Sequence, residues 1–115
     1  MSSIRERAFY NCNSLTSIEL PDSLMNIGSM AFYNCSSLTS IRLPNNVTGI
    51  GSYAFAYCDS LTSIVIPLSV TSMGFNAFKG CSKLSIYVRA GSIPNGWSND
   101  WDSDNRLVQC GYSGE

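Results

Sequence analysis

Three consecutive stretches of the sequence repeat one pattern of residues at a fixed period. They read "AFYNCNSLTSIELPDSLMNIGSM" (8–30), "AFYNCSSLTSIRLPNNVTGIGSY" (31–53) and "AFAYCDSLTSIVIPLSVTSMGFN" (54–76), and they align without a gap. A fixed period of roughly 20 to 50 residues is typical of solenoids, in which each repeat forms one coil that packs on the next. The sequence therefore predicts a repeat solenoid, mostly β, in which equivalent residues of successive copies lie above one another.

Two residue types recur at equivalent positions in all the copies and predict the interior. The first column is Phe9, Phe32, Phe55 and Phe78, and the second is Cys12, Cys35, Cys58 and Cys81. A single coil is not expected to be stable, because the entropy lost on ordering it exceeds the free energy gained from burying its few apolar side chains. Stacking closes both open faces of each coil, so stability is a property of the whole array.

Each copy contains a strand pattern that ends at a proline. In the first copy Leu15, Ile18 and Leu20 have the L-x-x-L-x-L spacing of a leucine-rich repeat strand, and the last two alternate with Glu19. Pro21 follows, and a proline cannot donate a hydrogen bond to a continuing ladder. Parallel strands are therefore predicted on one side of every coil, followed by a corner.

The second half of each copy predicts a bend and a short turn. A glycine at the equivalent positions 28, 51 and 74 is expected to permit a tight bend of the backbone. The Ala-Phe pair that follows is too short for a full helix. It predicts a single helical or 3₁₀ turn that brings the phenylalanine inward.

The two ends of the chain depart from the repeat. Residues 1–7 supply a partial coil, in which Ile4 occupies the column of Ile27. Residues 77–93 form a degenerate fourth repeat, with one residue missing before Ile86 and one inserted after Val88.

Residues 94–115 are interpreted as a C-terminal cap, in which the indoles of Trp97 and Trp101 cover the last coil. The chain of 115 residues is long enough for one domain and too short for two ordinary ones. A single domain is therefore expected.

The repeated pattern "AF-x-x-C-x-x-L-x-x-I-x-L/I-P-x-x-V/L-x-x-I-G" resembles the BspA-like leucine-rich repeat of bacterial and some protist surface proteins. Complete copies cover residues 8–76, and the tail "GWSNDWDSDNRLVQCGYSG" resembles the closing segment of such arrays. The resemblance implies a short right-handed solenoid with parallel strands on one side. It also implies an extracellular or cell-surface location, with a role in attachment or in recognition of host or matrix proteins. Because this chain has no secretion signal or anchor and few repeats, we expect a fragment of a larger surface protein.

The composition excludes several classes of protein. The chain has no histidine, which removes the Ser-His-Asp and Cys-His arrangements and the histidine zinc sites. The net charge is −1 and the cations are scattered singly, so a nucleic-acid surface is not expected. No apolar run approaches the ~20 residues that span a bilayer, so membrane insertion is not expected either.

The cysteine column predicts a buried thiol ladder. Side chains in one column of a parallel stack lie about 4.8 Å apart with parallel Cβ vectors, whereas a disulfide needs Cβ atoms about 3.8 Å apart and turned toward each other. The sequence contains no C-x-x-C pair that would suggest a metal site, and neither a metal nor another cofactor is expected. Cys110 lies outside the column; it could pair between molecules, but burial in the cap is the preferred interpretation.

The acidic run in the tail partly resembles a calcium-binding loop. Asp100, Asp102 and Asp104 stand at alternate positions, as at the start of an EF-hand loop. Asn105 and Gly111 replace the glycine and the glutamate that such a loop needs. A solvated turn is the preferred interpretation.

One outward column of the predicted strands varies, and it is the predicted recognition surface. The columns beside it are uniform and small: Thr16, Thr39, Thr62 and Ser85, and Ser17, Ser40 and Ser63. The varied column is Glu19, Arg42, Val65 and Tyr87. Since the fold demands repetition wherever it constrains a position, a column that varies is one that the fold leaves free. A second candidate set is the aromatic group Tyr10, Tyr33 and Tyr57, predicted to be exposed near the turn.

Two functions remain open from the sequence. The first is a non-enzymatic interaction or adhesion module whose strand side contacts another protein or a glycan. The second is a structural spacer without a ligand of its own, which could form a homodimer through the exposed N-terminal coil. An enzyme is not expected, because the sequence shows no nucleophile beside a base and its carboxylates stand singly.

Overall fold

The computed structural model describes residues 2–102, 104 and 108–113, which form a β-solenoid of about five turns. The described residues form seven short strands: β1 Ser3–Ile4, β2 Asn26–Ile27, β3 Gly49–Ile50, β4 Ser63–Ile66, β5 Ser72–Met73, β6 Ser85–Val88 and β7 Val108–Cys110. They form two parallel sheets, with the orders β1-β2-β3-β5 and β4-β6-β7. The predicted solenoid of parallel strands is confirmed. The described residues include no helix long and apolar enough to cross a membrane.

The longer sheet lies on the side of the coil where no strands were predicted. Its strands pair with the same step as the sequence repeat, as in Ile4 with Ile27 and Ile27 with Ile50. An isolated bridge between Met73 and Trp97 continues the sheet into the cap. The strands contain two residues each, too few for the alternating pattern that identifies a strand in a sequence.

In the second sheet the step between paired residues is one residue shorter than the sequence repeat. Ser63 pairs with Ser85 and Val65 with Tyr87, so one residue is indeed missing from the fourth repeat. Ser85 therefore lies opposite Ser63, and its prediction as a member of the threonine column with Thr62 was wrong. The tail continues this sheet, because Val108 pairs with Ile86.

The strands predicted in the first two repeats, at residues 16–20 and 39–43, do not form. The two segments share one backbone hydrogen bond, from Thr39 N to Thr16 O at 3.1 Å, to which the Thr39 hydroxyl adds a second donor at 3.3 Å. Their side chains still alternate: Arg42 is exposed, whereas Ile41 and Leu43 are buried. Alternation records which side chains are buried, and burial does not require the ladder to form.

The Ala-Phe segments are consecutive turns, and the described residues contain no 3₁₀ or α-helix, so the predicted helical turn was wrong. Backbone N–H groups there bond alternately within a coil and to the next coil. Tyr10 N donates to Arg7 O at 3.1 Å, whereas Phe9 N donates to Ala31 O at 2.7 Å. The alternation requires left-handed backbone at two positions of each coil, as at Arg7 and Asn11, both with φ 59°.

The phenylalanine rings form one continuous stack through the molecule. Successive centroids are 5.1, 5.2 and 5.5 Å apart, and neighbouring planes differ by at most 7°. Phe32, Phe55 and Phe78 are completely buried, whereas Phe9 at the N-terminal end is half-buried. The ring spacing is close to the strand spacing of about 4.8 Å, so the ring stack and the sheets fit the same distance between successive coils.

The cap closes the C-terminal end with two tryptophans, as predicted. Trp101 packs edge-on against Phe78 at 6.3 Å, and Trp97 lies edge-on to Trp101 at 4.9 Å. The indole N–H of Trp97 donates to Val70 O at 3.2 Å. Both indoles are buried, so apolar rings cover the last coil, and the polar N–H of Trp97 is paired.

The repeated glycines allow two coils to approach closely. The prediction that they permit a tight bend was wrong. None of Gly28, Gly51 and Gly74 has positive φ. A Cβ on Gly51 would lie 2.5 Å from Ser29 N and 2.8 Å from Gly28 C, both backbone atoms of the preceding coil. Only glycine lets two coils meet at this distance.

Replacing one of these glycines is expected to open the stack. Gly51→Ala should lower the free energy of unfolding by about 2 kcal/mol or more, because the contacted atoms belong to backbone that cannot rotate away. Chemical denaturation of the variant measures the change. Gly91→Ala is the matched control, since no atom lies within 4 Å of its Cβ position and its φ is not positive. Equal stability of the two variants would contradict the close-approach explanation.

Candidate interaction surfaces

The predicted recognition column lies on the side of the solenoid that carries β4, β6 and β7. We call the outward residues of this side the strand face. Glu19 and Arg42 are exposed, whereas Val65 and Tyr87 are half-buried and directly opposite each other in the sheet. Gln109 of β7 lies opposite Tyr87 and extends the column into the tail.

The column does not form one continuous site; it is divided between two shallow grooves and an aromatic pair. Glu19 and Arg42 line one groove together with Asp22. Arg42 and Val65 line the next groove together with Arg89. Beyond them Tyr87 packs against another tyrosine.

Three strand-face residues escaped the sequence analysis: Arg89, Gln109 and Tyr112. Tyr112 packs against Tyr87 with ring centroids 4.8 Å apart, and the guanidinium of Arg89 lies 5.7 Å from the centroid of Tyr112. Arg89 could have been found by extending the alternation of Ser85 and Tyr87 by one more step. The two tail residues carried no such signal, because the tail has no repeat to align with.

The second predicted set, Tyr10, Tyr33 and Tyr57, is part of a larger aromatic cluster. We call these three residues together with Tyr53 and Phe75 the aromatic ridge. Tyr10 stacks on Tyr33 at 5.1 Å, and Tyr33 meets Tyr57 edge-on at 5.4 Å. The ridge continues through Tyr53, which lies 5.6 Å from Phe75. Tyr53 and Phe75 fall outside the predicted set.

The rings of the ridge largely cover one another. Tyr10 is exposed, but Tyr33 and Tyr57 are half-buried, so the prediction of a fully exposed set was wrong. Burial, together with the neighbouring phenols, raises the pKa of Tyr33. Tyr57 also packs on the backbone of the next coil: a Cβ on Gly80 would lie 2.4 Å from its Cδ1. The ridge therefore stabilises the stack, and the strand face is the better candidate for recognition.

The cysteine column links successive coils by hydrogen bonds as well as by packing. The thiol of Cys35 donates to Phe9 O at 3.1 Å, that of Cys58 to Phe32 O at 3.2 Å and that of Cys81 to Phe55 O at 3.0 Å. Burial raises the pKa of Cys35 to about 11. The pKa of Cys58 is also raised, by the adjacent Cys81 thiol and by burial.

The fifth cysteine lies at the surface. Cys110 is exposed at the end of β7, so its predicted burial in the cap was wrong. Cys110 is the last residue of β7, which is an edge strand of its sheet in the part of the chain that the structure describes.

The aspartates of the tail hold the cap onto the fourth coil. The backbone oxygen of Asp100 accepts from Asn76 N at 2.8 Å, and the carboxylate of Asp104 accepts from Gly80 N at 2.7 Å. Asn105, which stands where an EF-hand loop needs glycine, lies outside the described residues. Among the described residues no three acidic or cysteine side chains are close enough together to hold a metal ion.

Thiol reactivity is expected to separate the column from the tail. At pH 8 Cys110 should react rapidly with Ellman's reagent, whereas Cys35, Cys58 and Cys81 should react at the rate of unfolding, because all three are buried. The raised pKa of Cys35 and Cys58 also leaves little thiolate at these two positions. Half-buried Cys12 should fall between these limits. Absorbance kinetics with and without denaturant measure the phases.

The variant Cys110→Ser should lose the fast phase and keep the slow ones. Fast reaction of more than two thiols in the folded chain would contradict the buried ladder.

The chain is similar to known repeat proteins in both sequence and structure. The family described as BspA type leucine rich repeat region (6 copies) matches residues 1–94. Among curated proteins, none is similar enough in sequence to count as a relative.

Among solved structures, the chain is similar to a leucine-rich repeat protein from Bacteroides ovatus ATCC 8483, with 34% identity and a TM-score of 0.70 over 96% of this chain and 25% of that one. It is also similar to the leucine-rich repeat protein of T. pallidum, with 32% identity and a TM-score of 0.64 over 76% of this chain and 52% of that one. A leucine-rich cell surface protein from Faecalibacterium prausnitzii A2-165 shares 25% identity, with a TM-score of 0.51 over 96% of this chain and 43% of that one. This chain thus spans a quarter to about half of the length of these proteins, and by its repeat, its fold and the extent of the family match it belongs to the BspA-type leucine-rich repeat family.

Proposed function

We propose that this chain is a non-enzymatic protein-interaction module, displayed at a cell surface, that contacts its partner through the strand face. Leucine-rich repeats commonly serve as interaction modules, and the similar protein from F. prausnitzii is a cell surface protein. Both facts support the proposal, and the chemistry of the strand face gives it a location.

The observation that carries the proposal is the contrast between the buried columns and the strand face. Every coil presents phenylalanine and cysteine to the interior, yet the outward column changes from Glu19 to Arg42, Val65 and Tyr87. Architecture explains the repetition and gives no reason for the variation. A surface of mixed charge with an aromatic pair at one end suits recognition of another protein.

A catalytic role has little support on this face. Its described side chains are arranged one above another at the coil spacing and point away from the core. Neither Ser40 nor Ser63, whose hydroxyls line the groove with Arg42, has a neighbouring base among the other lining residues.

Site-specific cross-linking tests the proposal. A photo-reactive amino acid is placed at position 65, on the strand face, or at position 25, an exposed residue before β2 on the other sheet. Exposed to cell-surface and matrix proteins, the chain should cross-link to a partner from position 65 and not from position 25. Mass spectrometry identifies the product.

Adding Arg42→Ala and Tyr87→Ala to the position-65 chain should abolish the product without lowering its melting temperature by more than a few degrees. Equal cross-linking from both positions, or none from position 65, would contradict the proposal and favour a spacer.

The N-terminal end supports a second candidate function, self-association. The side chains Phe9, Cys12, Leu15, Ile18 and Leu20 are half-buried, whereas their equivalents in the next repeat are all buried. Three of them, Phe9, Ile18 and Leu20, line a cavity of about 390 Å³. Arg5 and Glu19 line the same cavity. Opposite charges on one apolar rim are self-complementary under a two-fold axis, so a second copy of this chain fits the face.

A charge on this face is expected to prevent the association. Light scattering should show a dimer for the wild-type chain and a monomer for Ile18→Asp. The control Leu68→Asp places the same charge on an apolar side chain that is 71% exposed elsewhere, and should remain dimeric. A wild-type chain that stays monomeric at its highest soluble concentration would contradict self-association.

A further inference from the structure

The strand face is split by a groove between the second and third repeats. The groove has a volume of about 380 Å³ and lies between residues 40–45 on one side and β4 on the other. The sheet β4-β6-β7 stops at this edge, and the described residues show no backbone hydrogen bond between residues 40–43 and β4. The groove therefore exists because two neighbouring coils do not pair here.

Backbone groups on the β4 side of the groove are oriented for a ligand strand. Ser85 N donates to Thr62 O at 2.9 Å and Arg89 N to Ile66 O at 3.1 Å. In a parallel sheet alternate residues bond to opposite neighbours, so the peptide groups of Ser63 and Val65 point away from β6 and toward the groove. An extended peptide that lies along the groove can pair with them, as in strand addition to a sheet edge.

The charge of the groove is positive. Arg42 and Arg89 both line it, and no carboxylate is among the residues that do. The guanidinium of Arg89 also lies over the ring of Tyr112, with its carbon 5.7 Å from the ring centroid. Arg42 is exposed and can present its fork of donors to a carboxylate. The hydroxyls of Ser40 and Ser63 add neutral donors to the groove.

The surroundings favour a single carboxylate over a polyanion. On its other side Arg42 borders a groove that also contains Glu19 and Asp22. A sulfated glycan or a nucleic acid that followed the strand face would bring its next charges against these carboxylates. A peptide with one acidic side chain between neutral residues avoids this repulsion.

We propose that the groove between residues 40–45 and β4 binds an extended segment of a partner protein, and that Arg42 holds one aspartate or glutamate of that segment. The inference rests on the proposed function of the strand face and adds the chemistry of the partner. Main-chain pairing with Ser63 and Val65 fixes the direction of the segment, and the carboxylate fixes its register.

Peptide selection tests the proposal without a known partner. A displayed library of random peptides, about ten residues long to span a strand and its flanks, is selected in parallel on the wild-type chain and on its variants Arg42→Ala, Arg42→Glu and Lys83→Ala. The wild-type chain should enrich peptides with a single acidic residue. Lys83→Ala removes an exposed cation of the fourth repeat that does not line the groove, so it should give the same enrichment.

The Arg42 variants decide between a specific carboxylate and a general preference for acid. Arg42→Ala should lose the acidic enrichment, and Arg42→Glu should enrich basic residues. For a selected peptide, replacing its carboxylate by the amide should weaken binding about tenfold to a hundredfold, the range expected for a charged hydrogen bond. Melting curves of both variants check that they fold.

Three outcomes would overturn the inference: no acidic enrichment, the same enrichment on Arg42→Ala, or displacement of the peptides by heparin or inorganic phosphate at equal concentration. If a partner still cross-links from position 65 in any of these cases, the interaction module stands and the acidic segment is wrong. If cross-linking fails as well, both are wrong.

Discussion

The structure depends on one constraint, that every coil must rise by the same distance as its neighbours. In the stack from Phe9 to Phe78, successive ring centroids lie 5.1 to 5.5 Å apart, which is close to the spacing of neighbouring parallel strands. The repeated glycines allow this spacing where the backbones of two coils come into contact. The cysteine thiols donate hydrogen bonds from one coil to the preceding one. Because all of these contacts need the same rise, a change to one type of contact strains the others.

On the strand face, neighbouring coils do not all pair through backbone hydrogen bonds. Two sides of each coil are held by the longer sheet and by the turns that carry the phenylalanines, so the third side need not pair throughout. Residues 39–43 leave the ladder while Ile41 and Leu43 stay buried. The stack thus retains its core while its surface departs from the regular pattern, and that departure provides the groove beside Arg42.

Much of the fold follows from the period alone, and the failures have identifiable physical causes. The interior columns could be predicted because a repeated buried position reports its environment in every copy. The sheet through Ile27 and Ile50 could not, because strands of two residues carry no pattern. The left-handed turns were missed because the residue types that signal them are mixed with others in the same column, as where Asn11 and Asn34 align with Tyr57. Half of the strand face was predicted, since Arg42 and Tyr87 alternate with buried neighbours. The tail strand that completes it belongs to no repeat.

The change of step in the fourth repeat limits how such a protein can grow. The strands of the longer sheet all pair at the interval of the sequence repeat, so duplication of one repeat within the gene would add a coil and preserve every contact above and below it. The cap is different, because β6 and β7 pair at an interval one residue shorter, whereas Trp97 pairs with Met73 at an interval one residue longer. The closing segment therefore fits this last coil and no earlier one. A lineage of such genes is expected to vary in repeat number upstream of the fourth copy while inheriting that copy and the cap as one block.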